Sequence, residues 1–394
     1  MRADLDNILS EREAEALLLY SESFKDANMY YLTRFLAPDP FILLKKLDSA
    51  PTMVASAMEF PRAKRESIIK DVRSYTDYNY LEIVKAEAEP QLGVMKFLAS
   101  VARKELGTGT IICVPHNFPA LAVDVLSESL TVKPMFNVVE KARETKESDE
   151  INEIRVVQAV AEEATTEIID VIANCKVESG DKLIHKGENL TVGKVKSLLG
   201  HAFLDHGLAI EELIVACGPR SADPHYYGDP NDELRANQPI IMDIYPRSMR
   251  KRYWTDMTRT VVKGRASDEV KKMFEAVLEA RNVCVDALHE GVLGSDMFNL
   301  CCDVLEKAGY ETIRGGKQIE KGFTHGLGHG VGLEIHESPN MNEVYKFPLM
   351  EHSVVTVEPG LYDPKVGGVR IEDIVELTKN GCNNLTKMDV LLEI

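Results

Sequence analysis

Four apolar, strand-like runs in the second half of the chain each carry an acid where an apolar residue would be expected. Pro239-Ile-Ile-Met-Asp-Ile-Tyr holds Asp243, and Thr255-Asp-Met-Thr-Arg-Thr-Val-Val holds Asp256. Ser353-Val-Val-Thr-Val-Glu-Pro-Gly ends on Glu358, and Gly368-Val-Arg-Ile-Glu-Asp-Ile-Val-Glu-Leu carries Glu372 in its middle. Alternate residues of a strand share a face, so Asp243 goes with Ile241 and Tyr245, and Asp256 with Thr258 and Thr260. The acids lie 13 and 14 residues apart within each pair, so each pair fits one strand-turn-strand unit. Carboxylates set side by side on buried strands repel unless a proton or a cation lies between them. Any one of the four is explained as an acid facing solvent. All four together describe a cage that needs a cation.

A fifth segment supplies nitrogen. Thr324-His-Gly-Leu-Gly-His-Gly-Val-Gly-Leu-Glu-Ile-His-Glu has glycine at 326, 328, 330 and 332, a pattern against helix and for extended backbone in close approach. It offers His325, His329 and His336. A lone histidine is more often a hydrogen-bonded structural residue than a ligand. Three within twelve residues, beside four carboxylates, reverse that expectation. Mostly oxygen ligands with one imidazole favour Mn(II), Co(II), Fe(II) or Zn(II) over a thiolate-type structural zinc. Nine of the ten histidines lie after residue 184, so the chemistry is expected in the second part of the chain.

The rest of the sequence narrows the class. At 394 residues the chain suggests two or three domains, each long enough to bury a core. Its 46 basic and 63 acidic side chains give a net charge of −17, which argues against a large phosphate-binding surface and so against a nucleic-acid partner. No run approaches the roughly 20 apolar residues that span a bilayer, and Met1-Arg-Ala-Asp-Leu-Asp is unlike a secretory signal, so no membrane partner is expected. Seven cysteines without a CxxC pair read as buried thiols in a reducing compartment, and the expected location is cytoplasmic.

The first ~140 residues read as α/β, with strands at Leu17–Tyr20, Pro51–Ala57 and Thr110–Val114 and helices at Pro90–Leu106 and Ala120–Ser127. The charged run from Glu140 to Glu150 reads as a solvated linker or the first turns of an exposed helix, starting at Ser148 and reaching about Asn174. The domains are accordingly taken as 1–143 and 144–394. Helices at 190–206, 267–290 and 295–309 are expected to interleave with strands at Glu212–Cys217, Pro239–Tyr245, Thr255–Val262, Ser353–Val357 and Val369–Leu377. That alternation of helices with antiparallel hairpins is an α+β pattern.

Taken with their order, these motifs resemble the pita-bread metallopeptidase family of Xaa-Pro aminopeptidases, prolidases and methionine aminopeptidases. The matching stretches are Met242-Asp243, Asp256-Met-Thr-Arg-Thr, Gly328-His329-Gly with His336-Glu337, Val357-Glu358-Pro-Gly and Gly368-Val-Arg-Ile-Glu372-Asp. The first ~140 residues, including Met29-Tyr-Tyr-Leu-Thr-Arg-Phe, are similar to the smaller N-terminal creatinase-like domain of the Xaa-Pro branch. The resemblance implies a pita-bread catalytic domain behind a creatinase/prolidase-like α/β domain. It implies two divalent metal ions per subunit (Mn, Co, Zn or Fe), with Asp243 on one, His329 on the other, Asp256 and Glu372 bridging, and Glu358 completing the ligands of the second ion. A water or hydroxide bridging the ions would be the nucleophile, with Glu358 taking its proton. His225 and His336 match the family's substrate-side histidines, and Arg370 and His325 are expected beside the substrate or in support of the ligands. A proline-containing peptide is the implied substrate and a homodimer the implied assembly.

Two features depart from the family pattern. The turn between Asp243 and Asp256 is longer than usual and reads Pro246-Arg-Ser-Met-Arg-Lys-Arg, an exposed charged tip or a contact to substrate or partner subunit. Asn340 stands where many prolidase-like chains have an arginine suited to a substrate carboxylate, which leaves both dipeptidase and aminopeptidase activity open. The alternatives are a creatinase-like C–N hydrolase and a non-catalytic pita-bread binding protein. Both kinds of protein lack several of the ligands present here.

Overall fold

The computed structural model describes residues 4–394. The chain divides into two compact units, Met1–Arg143 and Glu144–Ile394.

The first unit is built on a six-stranded mixed sheet. Its order is Asp71–Ser74, Thr52–Ala55, Phe41–Lys46, Ala16–Ser21, Ile111–Pro115, Thr131–Met135. Leu17, Leu18 and Leu19 of the Ala16–Ser21 strand are all buried, as a continuous apolar run in mid-sheet requires. Helices Pro90–Leu106 and Ala120–Ser127 occupy the expected residues, and Phe97, Val101 and Leu126 join the core.

The second unit holds two apolar cores, each made by a helix pair against strands. In one, Ser148–Ala173 and Val192–Asp205 pack with the Ile240–Ile244 and Met257–Val261 strands. In the other, Asp268–Ala287 and Gly294–Lys307 pack with Val354–Val357 and Asp373–Thr378. Local chemistry sets these helices: Thr191 caps one through the Lys194 N–H, and Ser267 caps another through the Val270 N–H with Asp268 and Glu269 in the first turn. The long helix begins at Ser148 as expected, and Glu147 caps it through a reciprocal capping box with Glu150.

The charged run before that helix is not solvated as expected. Glu144, Lys146 and Glu150 are buried. Lys146 pairs with Glu337 at 2.8 Å, and Glu150 accepts the Tyr253 hydroxyl at 2.6 Å. Opposite charges found partners across the unit, so burial became affordable where composition alone reads as surface.

Three short sheets carry the acids. Ile214–Cys217, Ile240–Ile244 and Met257–Val261 run antiparallel, with Asp243 facing Thr258. Glu337–Met341, Gly328–Gly330, Val354–Val357, Asp373–Thr378 and Gly381–Asn384 form the second sheet. Gly360–Asp363 pairs with Gly367–Arg370 as a third. The strand expected over Val369–Leu377 is therefore two strands, and Glu372 lies in the break between them. Val357 still faces Asp373 on one side of the break and Gly360 faces Arg370 on the other, so the hairpin resumes in one register. Its hydrogen bonds go elsewhere at the break: the Glu372 N–H donates to the Thr258 carbonyl, and the Arg370 N–H to the Thr260 hydroxyl. Pro359 has no N–H to offer the ladder. The first hairpin is stitched to the second at this point.

The turn at 246–252 is only partly the exposed tip that its charge suggests. Met249, Arg250 and Lys251 are exposed, but Arg252 is buried and Arg247 lies over the Trp254 ring, 5.0 Å from its centroid.

Candidate metal centre

The two hairpins bring their acids to the floor of one cavity of about 730 Å³, and all nine candidate residues line it. Asp243 and Asp256 come from the first hairpin. Asp256 lies just ahead of the Met257–Val261 strand rather than inside it, yet remains buried and diagonal to Asp243. Glu358 and Glu372 face each other at the break in the second. His329 comes from the Gly328–Gly330 strand. Gly328 and Gly330 permit this because a side chain at either would strike the backbone of Thr356 or of Ser338.

His329 Nε2 lies 3.4 Å from Glu358 Oε1 and 3.6 Å from Asp256 Oδ2. Its Nδ1 is 3.1 Å from the Gly330 carbonyl, so that nitrogen donates and Nε2 is left to accept. Burial, with His336 close by, pulls His329 down to about 3, so the ring is neutral. Asp256, His329 and Glu372 each offer one ligand atom within 4.8 Å of the others.

Two threonines organise the carboxylates. Thr258 donates its hydroxyl to Glu372 Oε2 at 2.7 Å and accepts from Arg370 Nε at 3.2 Å. Thr356 accepts the His329 N–H at 3.0 Å and is 3.4 Å from Glu358 Oε1. Arg370 is buried and gives Nη2 to Asp243 Oδ2 at 2.6 Å and Nη1 to the Tyr362 hydroxyl at 2.7 Å. That hydroxyl in turn lies 2.9 Å from His325 Nε2, while His325 Nδ1 meets the Gly326 carbonyl at 2.7 Å. Burial first, and Arg370 second, pull His325 down to about 3, so the neutral ring accepts from Tyr362. The chain Asp243–Arg370–Tyr362–His325 is thus satisfied throughout, and His325 has no nitrogen left for a ligand.

The charge balance fails at the floor. Burial, with Glu372 and the other acids as neighbours, raises Asp256 well above the carboxylate range. Burial and Glu358 do the same to Glu372, and burial lifts Glu358 to about 8 against the opposing pull of Arg370. Asp256 Oδ1 and Glu372 Oε1 are buried with no hydrogen-bond partner. Orphaned carboxylate oxygens are costly, and these two belong to the cluster that also contains a neutral imidazole. The donor set fits divalent cations with oxygen-rich coordination.

His225 and His336 stand apart from the floor. Both side chains are exposed at the cavity wall, His225 in the loop after the Gly218–Ala222 turn and His336 with its ring 4.3 Å from that of His329. Tyr362, Thr258 and Thr356 were not anticipated from sequence, nor were Tyr227, Tyr245 and Trp254, which wall the cavity. A hydroxyl in an apolar strand was the available signal, at Thr356 and at Tyr362 of Gly360-Leu-Tyr-Asp.

Against known families, residues 152–379 match the model of metallopeptidase family M24, more than half of the chain. The chain belongs to metallopeptidase family M24. Residues 1–157 match the creatinase/prolidase N-terminal domain. Among similar proteins, an Xaa-Pro dipeptidase of Pyrococcus horikoshii is 28% identical over 93% of this chain and 92% of its own length. One of Pyrococcus furiosus is 31% identical over 78% of this chain and 83% of its own. A solved Xaa-Pro dipeptidase from Bacillus anthracis superposes with a TM-score of 0.80 at 24% identity, covering 99% of this chain and 98% of that one. The architecture is the pita-bread M24 domain behind a creatinase-like domain, as the sequence motifs imply. No helix among the described residues is long and apolar enough to cross a membrane.

Proposed function

We propose that this M24 chain is an Xaa-Pro peptidase that hydrolyses the bond between an N-terminal residue and proline with two divalent cations. One observation carries the reading: two orphaned carboxylate oxygens, on Asp256 and Glu372, lie beside His329 at the floor of an open cavity. The Xaa-Pro dipeptidases of both Pyrococcus species support the substrate class.

Asp243, Asp256, His329, Glu358 and Glu372 would hold the cations. When bound, these ions supply a water acidic enough to attack at neutral pH and a Lewis acid for the scissile carbonyl. Glu358 would take the proton of the attacking water and return it to the departing proline nitrogen. That nitrogen leaves as a secondary amine and needs the proton. His336 and His225, exposed on the wall above, donate hydrogen bonds to the oxygen of the tetrahedral species or to the leaving nitrogen. Arg370 fixes one oxygen of Asp243 and leaves the other for a cation, and Tyr362 with His325 fixes Arg370. Neither alternative from the sequence gains support, because every ligand position of the M24 pattern is filled.

Manganese or cobalt as the working ion, a homodimer and a cytoplasmic location belong to the same proposal. The seven unpaired cysteines support the last of these. The test is hydrolysis of an Xaa-Pro peptide before and after chelation. Activity should vanish with the metal and return with Mn(II) or Co(II). Activity indifferent to chelation refutes the proposal. Light scattering tests the dimer.

A further inference from the structure

The proposed hydrolysis needs a donor from His336 at the cavity wall, yet no hydrogen bond among the described residues fixes its ring. The ring meets that of His329 edge-on, with centroids 4.3 Å apart. Its placement therefore rests on the loop 331–336, which joins the Gly328–Gly330 strand to Glu337–Met341 and ends on His336. The outgoing half is pinned from two sides. Val331 donates its N–H to the Val354 carbonyl at 3.0 Å; Trp254 donates its N–H to the Gly332 carbonyl at 2.8 Å and its Nε1 to that of Leu333 at 3.1 Å. The returning half turns on the Glu337 carboxylate. Its Oε2 accepts the Glu334 N–H at 3.2 Å, and its Oε1 meets Lys146 Nζ at 2.8 Å. The Lys146 and Glu337 side chains are 2% and 6% exposed. A side chain on Gly332 would come within 2.3 Å of Oε1, so the glycine makes room for the pair. Lys146 is anchored in turn, its N–H on the His352 carbonyl at 2.9 Å. Neither charge lines the cavity.

We propose that Lys146 is a positioning residue for His336: through Glu337 it fixes the end of the loop from which His336 reaches the cavity. The inference rests on the Xaa-Pro reading, in which His336 donates to the tetrahedral species or to the leaving nitrogen. Enclosing two charges costs their hydration, and such a pair adds little net stability over apolar residues of the same volume. What it supplies here is one arrangement of the backbone between Glu334 and Glu337. The ion pair holds the carboxylate, the carboxylate holds the Glu334 N–H, and His336 lies between the two residues so joined. A catalytic group displaced by ~1 Å costs about 10²-fold in rate, and one donor to a developing oxyanion is worth about 10²–10³ in kcat. Loosening the loop therefore falls on the transition state and leaves substrate binding nearly unchanged, so the loss appears in kcat and hardly in KM.

Lys146→Met alone strands a buried carboxylate, so the decisive variant is Lys146→Met/Glu337→Gln, which removes the charge pair as a whole and should melt close to wild type. The experiment uses the full-length, metal-saturated protein with Ala-Pro and Ala-Pro-Ala. In the double variant kcat should fall by about tenfold or more while KM stays within about threefold. Lys146→Arg, which keeps the pair, should hold kcat within about threefold of wild type. Placed on His336→Ala, the same two substitutions should lower kcat by less than about twofold, because losses that pass through one residue do not add. In metal-free protein, hydrogen exchange should quicken at 334–336 in the double variant and not in the strands on either side. A folded double variant with wild-type kcat, or a loss undiminished on His336→Ala, overturns the proposal while leaving the Xaa-Pro reading intact. A wild-type protein that cleaves neither peptide overturns both.

Discussion

Replacing Arg259 with methionine tests whether the metal centre depends on what lies beneath it. Arg259 is in the middle of the Met257–Val261 strand and is almost fully buried. Its Nη1 donates to the Glu372 carbonyl at 2.7 Å and the Thr258 carbonyl at 2.9 Å. Its Nη2 meets Asp373 Oδ1 at 2.9 Å and the Met388 carbonyl at 2.8 Å. One side chain therefore clamps the backbone of a proposed ligand to the strand that supplies another. Asp373 is entirely buried and keeps Arg281 as a partner. Losing Arg259 still removes one of its two cations and leaves the Glu372 and Met388 carbonyls short of a donor, together a cost of about 3–5 kcal/mol at ~1–3 kcal/mol for each unmet buried group. For a unit of this size that corresponds to roughly 6–20 °C in Tm, at ~2–4 °C per kcal/mol. Losing the support of a ligand costs about 10–100-fold in metal affinity. Thermal melts of metal-free protein measure the first effect, and metal titration well below Tm measures the second. Arg259→Lys keeps a charge but loses the fork, so it should fall between wild type and Arg259→Met in both. A loss under ~1 kcal/mol together with unchanged metal affinity would refute the clamp.

Glu358→Gln should lower kcat by about 10²–10⁴ through loss of the proton acceptor, measured as single-turnover hydrolysis under metal saturation; a change below tenfold contradicts that role. Tyr362→Phe should leave the buried Nη1 of Arg370 short of a partner, costing about 1–3 kcal/mol in a chemical denaturation curve, and an unchanged midpoint would show the hydroxyl to be idle. The pH response of the metal-free protein has a definite sign. Glu358 is raised to about 8, and Asp256 and Glu372 well above the carboxylate range, so above pH ~4.5 the folded state holds protons that the unfolded chain has released, and stability falls as pH rises toward 8. Below pH ~6.5 the buried His325 and His329, both pulled down to about 3, act in the opposite sense and offset part of that fall, so it is unopposed by them only above pH ~6.5. Melting temperatures without metal should therefore fall most steeply between pH ~6.5 and 8 and flatten over that range when metal is added. A metal-free protein as stable at pH 8 as at pH 6.5 would contradict the buried-acid account.

The acids were legible in the sequence because strand periodicity assigns a face to each residue, and an acid on an apolar face is conspicuous. Helices such as Pro90–Leu106 were legible for the same reason at a different period. Glu372 was placed in the correct hairpin but not at a break, since nothing local shows that its N–H will go to Thr258 in another hairpin. Lys146 was read as part of a solvated run because its partner Glu337 lies 191 positions away, and only the tertiary fold brings the two together. The hydroxyls of Thr258 and Tyr362 escaped notice because their role depends on three-dimensional neighbours, not on spacing. Residue types that ligate metals announce themselves. Residue types that hold the ligands do so only once the chain has folded.

The interrupted hairpin has a consequence for how this protein can change in length. Glu358 and Glu372 stay opposite each other because one register runs through the break to the turn at 364–366. Residues inserted at that turn add to the loop and leave every pairing below it intact. A single residue added to one strand between the turn and the acids would shift one against the other and reverse the faces beyond it. Pro364 and Lys365 mark the place in this hairpin where an epitope or a reporter segment can be grafted while the two acids keep their positions.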